Sequence, residues 1–132
     1  MSAIRGISEI VMNVHSMAEA RKFYEGVLGL VPISPPELKS PVFLQAGSHG
    51  GIPDMVVLVE LPPGSPAFAA PRSLHHLALE VAPEAFDAEK SRLTGLGFSV
   101  RMGKHPIVPS RTMYVNDPDG NEVELICTVS AS

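Results

Sequence analysis

Residues 7–14 (ISEIVMNV) alternate apolar and polar side chains, which predicts a strand with one buried face. Ser16 and Glu19 follow in the S-x-x-E arrangement that opens helices. Met17, Ala20, Tyr24, Val27 and Leu28 then recur on one helical face, and Gly29 supplies the stop. Apolar runs at 42–46 and 55–61 predict further strands between proline- and glycine-rich turns. Beyond the proline-rich stretch 62–71 the same order returns. LHHLALEV (74–81) alternates, and Pro83 suits a first helical position. Phe86, Leu93 and Leu96 form an apolar stripe that ends at Gly97. Three more strands are predicted at 98–102, 111–115 and 122–128. Asp117-Pro118-Asp119-Gly120 joins the last two, with Pro and Gly where a type I turn prefers them.

The pattern is therefore written twice. EIVMNV (9–14) and HLALEV (76–81) are equivalent openings, and VLGL (27–30) and GLGF (95–98) are equivalent helix exits. Each half reads as a strand, a helix and about three strands. This predicts an α+β domain made by internal duplication, with module one at 1–61, a linker at 62–73 and module two at 74–132. The repeat is too long for an ordinary solenoid unit.

Composition narrows the class without naming a function. An apolar fraction of 45% with 13 Pro and 11 Gly describes a turn-rich globular protein. A net charge of −4 without a Lys/Arg cluster argues against nucleic acid. No segment is long and apolar enough to span a membrane. The N-terminus lacks a basic and then apolar leader, and one cysteine, Cys127, allows no internal disulfide. A cytoplasmic protein is the expectation.

Strand parity then separates the face that packs on the helix from the other face. In the first strand Ile10, Met12 and Val14 form the apolar set, leaving Glu9 opposite. In 74–81 the apolar set is Leu77, Leu79 and Val81, so His76 lies opposite and is preferred to His75. In 122–128, Val123, Leu125 and Cys127 oppose Glu124. In 55–61, Glu60 is taken to oppose a core set of Val57, Val59 and Leu61. Glu9, Glu60, His76 and Glu124 thus fall on non-helical faces, and imidazole with carboxylates suits a divalent cation such as zinc, iron, nickel or manganese. For any one glutamate, simple solvation is the competing reading. Cys127 shares its parity with the core and reads as packing.

The opening strand, FYEGVLGL (23–30), HHLALEV and YVNDPDGNEVEL together resemble the vicinal oxygen chelate superfamily, which includes glyoxalase, bleomycin-resistance and extradiol dioxygenase proteins. The resemblance covers nearly the whole chain. It implies paired βαβββ modules forming a cupped mixed sheet, assembly as a homodimer, and metal ligands on first and fourth strands. Gly103 and His105, followed by Met113-Tyr114, Asp117-Pro118, Gly120 and Glu124, are similar to the ring-cleavage dioxygenase signature. The likeness implies that His105 and Tyr114 act on substrate and that Glu124 binds metal. An exposed loop histidine before Pro106 and a packed strand aromatic are the alternatives for those two residues. Glu9 departs from the family, which places His there, and the added anionic charge favours a harder ion such as manganese. The expected function is a small metal-dependent enzyme, dioxygenase-like or glyoxalase-like, acting on a small substrate chelated through neighbouring oxygens. The alternative is a metal-free protein that sequesters an aromatic or antibiotic ligand.

Overall fold

Strand β1 (Glu9–Val14) runs along the edge of a four-stranded mixed sheet ordered β1-β4-β3-β2 in the computed structural model, which describes residues 2–129. Ser16 caps helix α1 (Met17–Arg21) by accepting from the Glu19 N–H at 3.2 Å. The helix continues into a wider turn (Lys22–Val27) in which the Leu28 N–H reaches back five residues to the Phe23 carbonyl. That widening brings two adjacent aromatics inward, so both Phe23 and Tyr24 are buried, whereas ordinary helical spacing selects Tyr24 alone. Gly29, at φ +80°, closes the helix as expected. Strands β2 (Val31–Pro32), β3 (Val42–Gly47) and β4 (Asp54–Glu60) complete the unit. Strand β2 has only two residues, too few to leave a periodic signal.

The register of β1 on β4 corrects one reading. Glu9, Val11 and Asn13 pair with Met55, Val57 and Val59, while Met12 and Val14 pair with Leu58 and Glu60. Paired residues share a face, so Val56, Leu58 and Glu60 point to the helix side and Val57 to the side of Glu9. Glu60 is therefore not on the face of Glu9. Its Oε2 accepts from the Met17 N–H at 2.8 Å, placing a carboxylate at the start of α1. The parity misled because β4 is an inner strand with Val56, Val57 and Leu58 all buried, so hydrophobicity does not alternate there.

The chain divides after Ala67, and the second unit repeats the first. Strand β5 (Leu77–Glu80) is followed by a tight turn at Pro83–Ala85 and helix α2 (Phe86–Gly95). Gly97, at φ +95°, ends the helix, with the Phe98 N–H on the Leu93 carbonyl. Strands β6 (Arg101–Gly103), β7 (Ser110–Asn116) and β8 (Glu122–Thr128) form a sheet ordered β5-β8-β7-β6. The order and strand directions match those of the first unit, as an α+β duplication requires. Phe86 and Leu93 of α2 are fully buried, as are Met113, Val115, Val123 and Cys127. Arg111 adds an outer tie, lying 4.4 Å over the Phe86 ring with Nη2 2.8 Å from Asp87 Oδ1.

Candidate functional site

Within the second unit, the face away from α2 gathers polar groups in rows across the sheet. Ala78, Glu124, Tyr114 and Arg101 are paired in register, and so are Glu80, Ile126, Thr112 and Gly103. His76 immediately precedes β5 and follows the same alternation. Its Nε2 lies 3.1 Å from Glu124 Oε1, and its ring meets that of Tyr114 edge-on at 6.1 Å between centroids. His76, Glu124 and Tyr114 are thus brought together as the parity and the motif implied. Gly103 contributes by its missing side chain. A Cβ there would stand 2.5 Å from Tyr114 Cε2, so glycine lets the tyrosine ring lie over β6.

Glu124 is the electrostatic anomaly. Only 2% of it is exposed, and its Oε2 has no hydrogen-bond partner. Burial of a carboxylate oxygen without a partner is unfavourable by about 1–3 kcal/mol or more. Thr112, also fully buried on this face, leaves its Oγ1 without a partner. A divalent cation beside Glu124 Oε2 and His76 Nε2 would satisfy the orphaned oxygen, so these two donors fit such an ion. His75 belongs to the same chain of contacts, its Nδ1 lying 2.7 Å from His76 Nδ1.

The other candidates are placed differently. Glu9 opens β1 and is exposed, occupying in its module the position that His76 occupies in the second. Glu60 serves the helix start, as described above. The register makes Val57, not Glu60, the counterpart of Glu124, and it lies as far along the chain from Glu9 as Glu124 does from His76. Within neither unit do the described residues gather three or more His, Cys, Asp or Glu able to hold a metal ion. His105 sits in the β6–β7 loop with Nδ1 accepting from the Ile107 and Val108 N–H groups at 3.1 and 2.9 Å. An acceptor at Nδ1 puts the ring proton on Nε2, which makes that nitrogen a donor. A proton taken up as a base would have to enter at Nδ1, where two amide hydrogens already point.

Sequence reasoning did not single out Arg101 or Arg72. Arg101 Nη2 donates to Asn116 Oδ1 at 2.9 Å and lies 3.5 Å from Glu122 Oε2, beside the Tyr114 row. Arg72 reaches the turn before β8. Neither residue lies in a motif, and both reach their partners across a long stretch of chain.

A family model described as Glyoxalase/Bleomycin resistance protein/Dioxygenase superfamily matches residues 6–125. The chain belongs to this superfamily. Solved structures similar to this chain carry the same fold. A glyoxalase/dioxygenase from Nostoc punctiforme is 24% identical with a TM-score of 0.71, over 97% of this chain and 94% of that one. TnmS3, an antibiotic binding protein from Streptomyces sp. CB03234, is 26% identical with a TM-score of 0.67, over 98% of this chain and 100% of the other. The fosfomycin resistance protein FosX from Mesorhizobium loti is 22% identical with a TM-score of 0.65, over 97% and 95% of the two chains. No curated protein matches the sequence. No helix among the described residues is long and apolar enough to cross a membrane.

Proposed function

We propose that the chain is a small metal-dependent enzyme of this superfamily, holding a divalent ion through His76 and Glu124 and acting on a small ligand with neighbouring oxygens. The supporting observation is the buried, unpartnered Oε2 of Glu124 beside His76. Zinc, iron, nickel and manganese all suit imidazole with carboxylate. When bound, the ion would supply Lewis-acid polarisation of the ligand's oxygens.

The chain's own residues supply the rest. A ligating His76 Nε2 carries no proton, so His76 Nδ1–H would donate to His75 Nδ1, the kind of second hydrogen bond that orients a metal-binding imidazole. Tyr114, beside His76, would donate its hydroxyl hydrogen to the ligand. His105 would offer its Nε2–H, which makes it a donor in the reaction. Dioxygenase-like chemistry is favoured by His105, Tyr114 and Glu124 standing at the signature positions. A cytoplasmic homodimer is the assembly that the family resemblance supports.

A second reading is sequestration of an aromatic or antibiotic ligand without metal. Similarity to TnmS3 at 26% identity favours it, and so does Val57 standing in the first unit where Glu124 stands in the second. One experiment separates the two. Protein stripped of metal is titrated with Zn²⁺, Mn²⁺, Ni²⁺ and anaerobic Fe²⁺, and the iron form is then given catechols and oxygen. The enzyme reading expects binding that His76→Ala abolishes and ring-opened product that Tyr114→Phe reduces. Tight aromatic binding that is indifferent to metal, with no product across a catechol panel, would replace it with sequestration.

A further inference from the structure

Arg72 takes no part in the chemistry outlined above, yet it ties together the chain segments that deliver His76 and Glu124. Its Nη1 donates to Asn121 Oδ1 at 2.8 Å and its Nη2 to the Asp119 carbonyl at 2.5 Å. Asn121 is buried and donates from Nδ2 to Asp117 Oδ2 at 2.9 Å. The backbone N–H groups of Asp119 and Asn121 donate to Asp117 Oδ1 at 2.9 and 2.8 Å. The turn is shaped around the guanidinium as well. Gly120 stands at φ +81°, and a Cβ there would come within 3.1 Å of Arg72 Nη2. The ring of Phe68 flanks Arg72 at 5.2 Å.

The clamp acts where the sheet does not. Arg72 lies shortly before His76, and Asn121 shortly before Glu124. The first registered pair of the β5–β8 ladder is Leu77 with Val123, so His76 precedes it and the ladder holds only the C-terminal side of that residue. The side chain of Arg72 holds the segment on the other side. Guanidinium geometry suits this, because a planar fork can bond a side-chain oxygen and a backbone oxygen at once, whereas an ammonium is a point donor.

We propose that Arg72 is a positioning residue which, through Asn121 and the 117–121 turn, sets the separation of His76 and Glu124 and so the affinity of the site for a divalent ion. This rests on the reading of His76 and Glu124 as metal donors. It makes the turn part of the site's construction and more than a connection between strands.

The test compares the full-length wild type with Arg72→Met and Arg72→Lys. The measurements are Zn²⁺ affinity by calorimetry, the visible spectrum of the Co²⁺ form, and the metal-free crystal structures. Arg72→Met should bind Zn²⁺ about 10–100-fold more weakly, the range for loss of a group that orients a ligand. Its Co²⁺ spectrum should change, and His76 should be displaced from Glu124. Arg72→Lys should recover part of the affinity. Wild-type affinity and spectrum in Arg72→Met would overturn the proposal. If the wild type itself binds no metal, the metal reading falls. The clamp is then decided by the crystal structures, where a His76–Glu124 separation still near 3.1 Å in Arg72→Met overturns it. Should Arg72→Met fail to fold, Arg72→Lys carries the same readouts, since it keeps the charge and loses the fork.

Discussion

The two modules share strand order, register and helix exits, yet they treat equivalent positions in opposite ways. In the second, His76 faces a buried carboxylate at Glu124. In the first, the matching pair is Glu9, which is exposed, and Val57, which is buried and apolar. Each module also has a carboxylate that stabilises its own architecture. Glu60 receives the first N–H of α1, and Asp117 organises the turn before β8. Duplication thus preserved what the fold needs, namely the sheet order and the glycines that end helices. The carboxylate whose burial is unfavourable, Glu124, stands at this position in the second copy and not in the first. On the proposed function, the half-satisfied glutamate stands where the first module has valine because the second module binds an ion there.

Exchanging the two patterns tests this contrast most severely. Val57→Glu puts a carboxylate into the buried slot of the first module, where Glu9 supplies no counter-charge. Its unfolding free energy in urea should fall by roughly 3 kcal/mol or more. Stability equal to wild type would show that the first module can also accommodate a buried carboxylate, and the contrast would be lost.

The reverse exchange should have the opposite sign. Glu124→Leu removes an unpartnered buried oxygen at similar volume, so the metal-free protein should gain about 1–3 kcal/mol while losing metal binding. A destabilised Glu124→Leu protein would mean that the carboxylate is satisfied and structural. The reading of a site maintained at the expense of stability would then be wrong.

A smaller effect is expected at Glu60. Glu60→Gln weakens the carboxylate at the start of α1 and should lower stability by about 0.3–1 kcal/mol, with metal affinity unchanged. A large drop in affinity would return Glu60 to the ligand set and undo the assignment made from the β1–β4 register.

The smallest effect lies on the surface of the second module. The hydrogen bond from Arg111 holds the Asp87 carboxyl below the usual carboxylate range, with the charge of Arg111 adding to the shift. A folded-state pKa below the unfolded value gives a contribution that is present above about pH 4 and lost as pH falls through the folded value. Thermal scans from pH 6 downward should show a slightly steeper loss for wild type than for Asp87→Asn. Superimposable curves would leave the pair without measurable effect, as exposed pairs often are.

Much of this is legible in the sequence. The alternation of 9–14 and 74–81, the glycines at 29 and 97 and the DPDG turn are local signals, each readable from a few neighbouring residues. His76 and Glu124 are legible because polar residues alternate with apolar ones in HLALEV and EVEL, so parity can be followed although β8 itself is largely buried. The face of Glu60 is not legible, because the strand before it is apolar on both faces and carries no phase. Helical spacing does not select Phe23, because a widened helical turn shifts the face by one residue and that widening has no signature in composition.

By itself, then, the sequence determined the duplication, the element order, the superfamily and the two residues that meet in the second module, because each depends on periodicity or short motifs. Only the tertiary structure decided that Val57 is the counterpart of Glu124, that Glu60 serves a helix, and that Arg72 closes on the turn before β8. The physical reason is that register and long-range hydrogen bonds are set by how strands pair and where a long side chain can reach. Those depend on contacts between residues that the chain order keeps far apart.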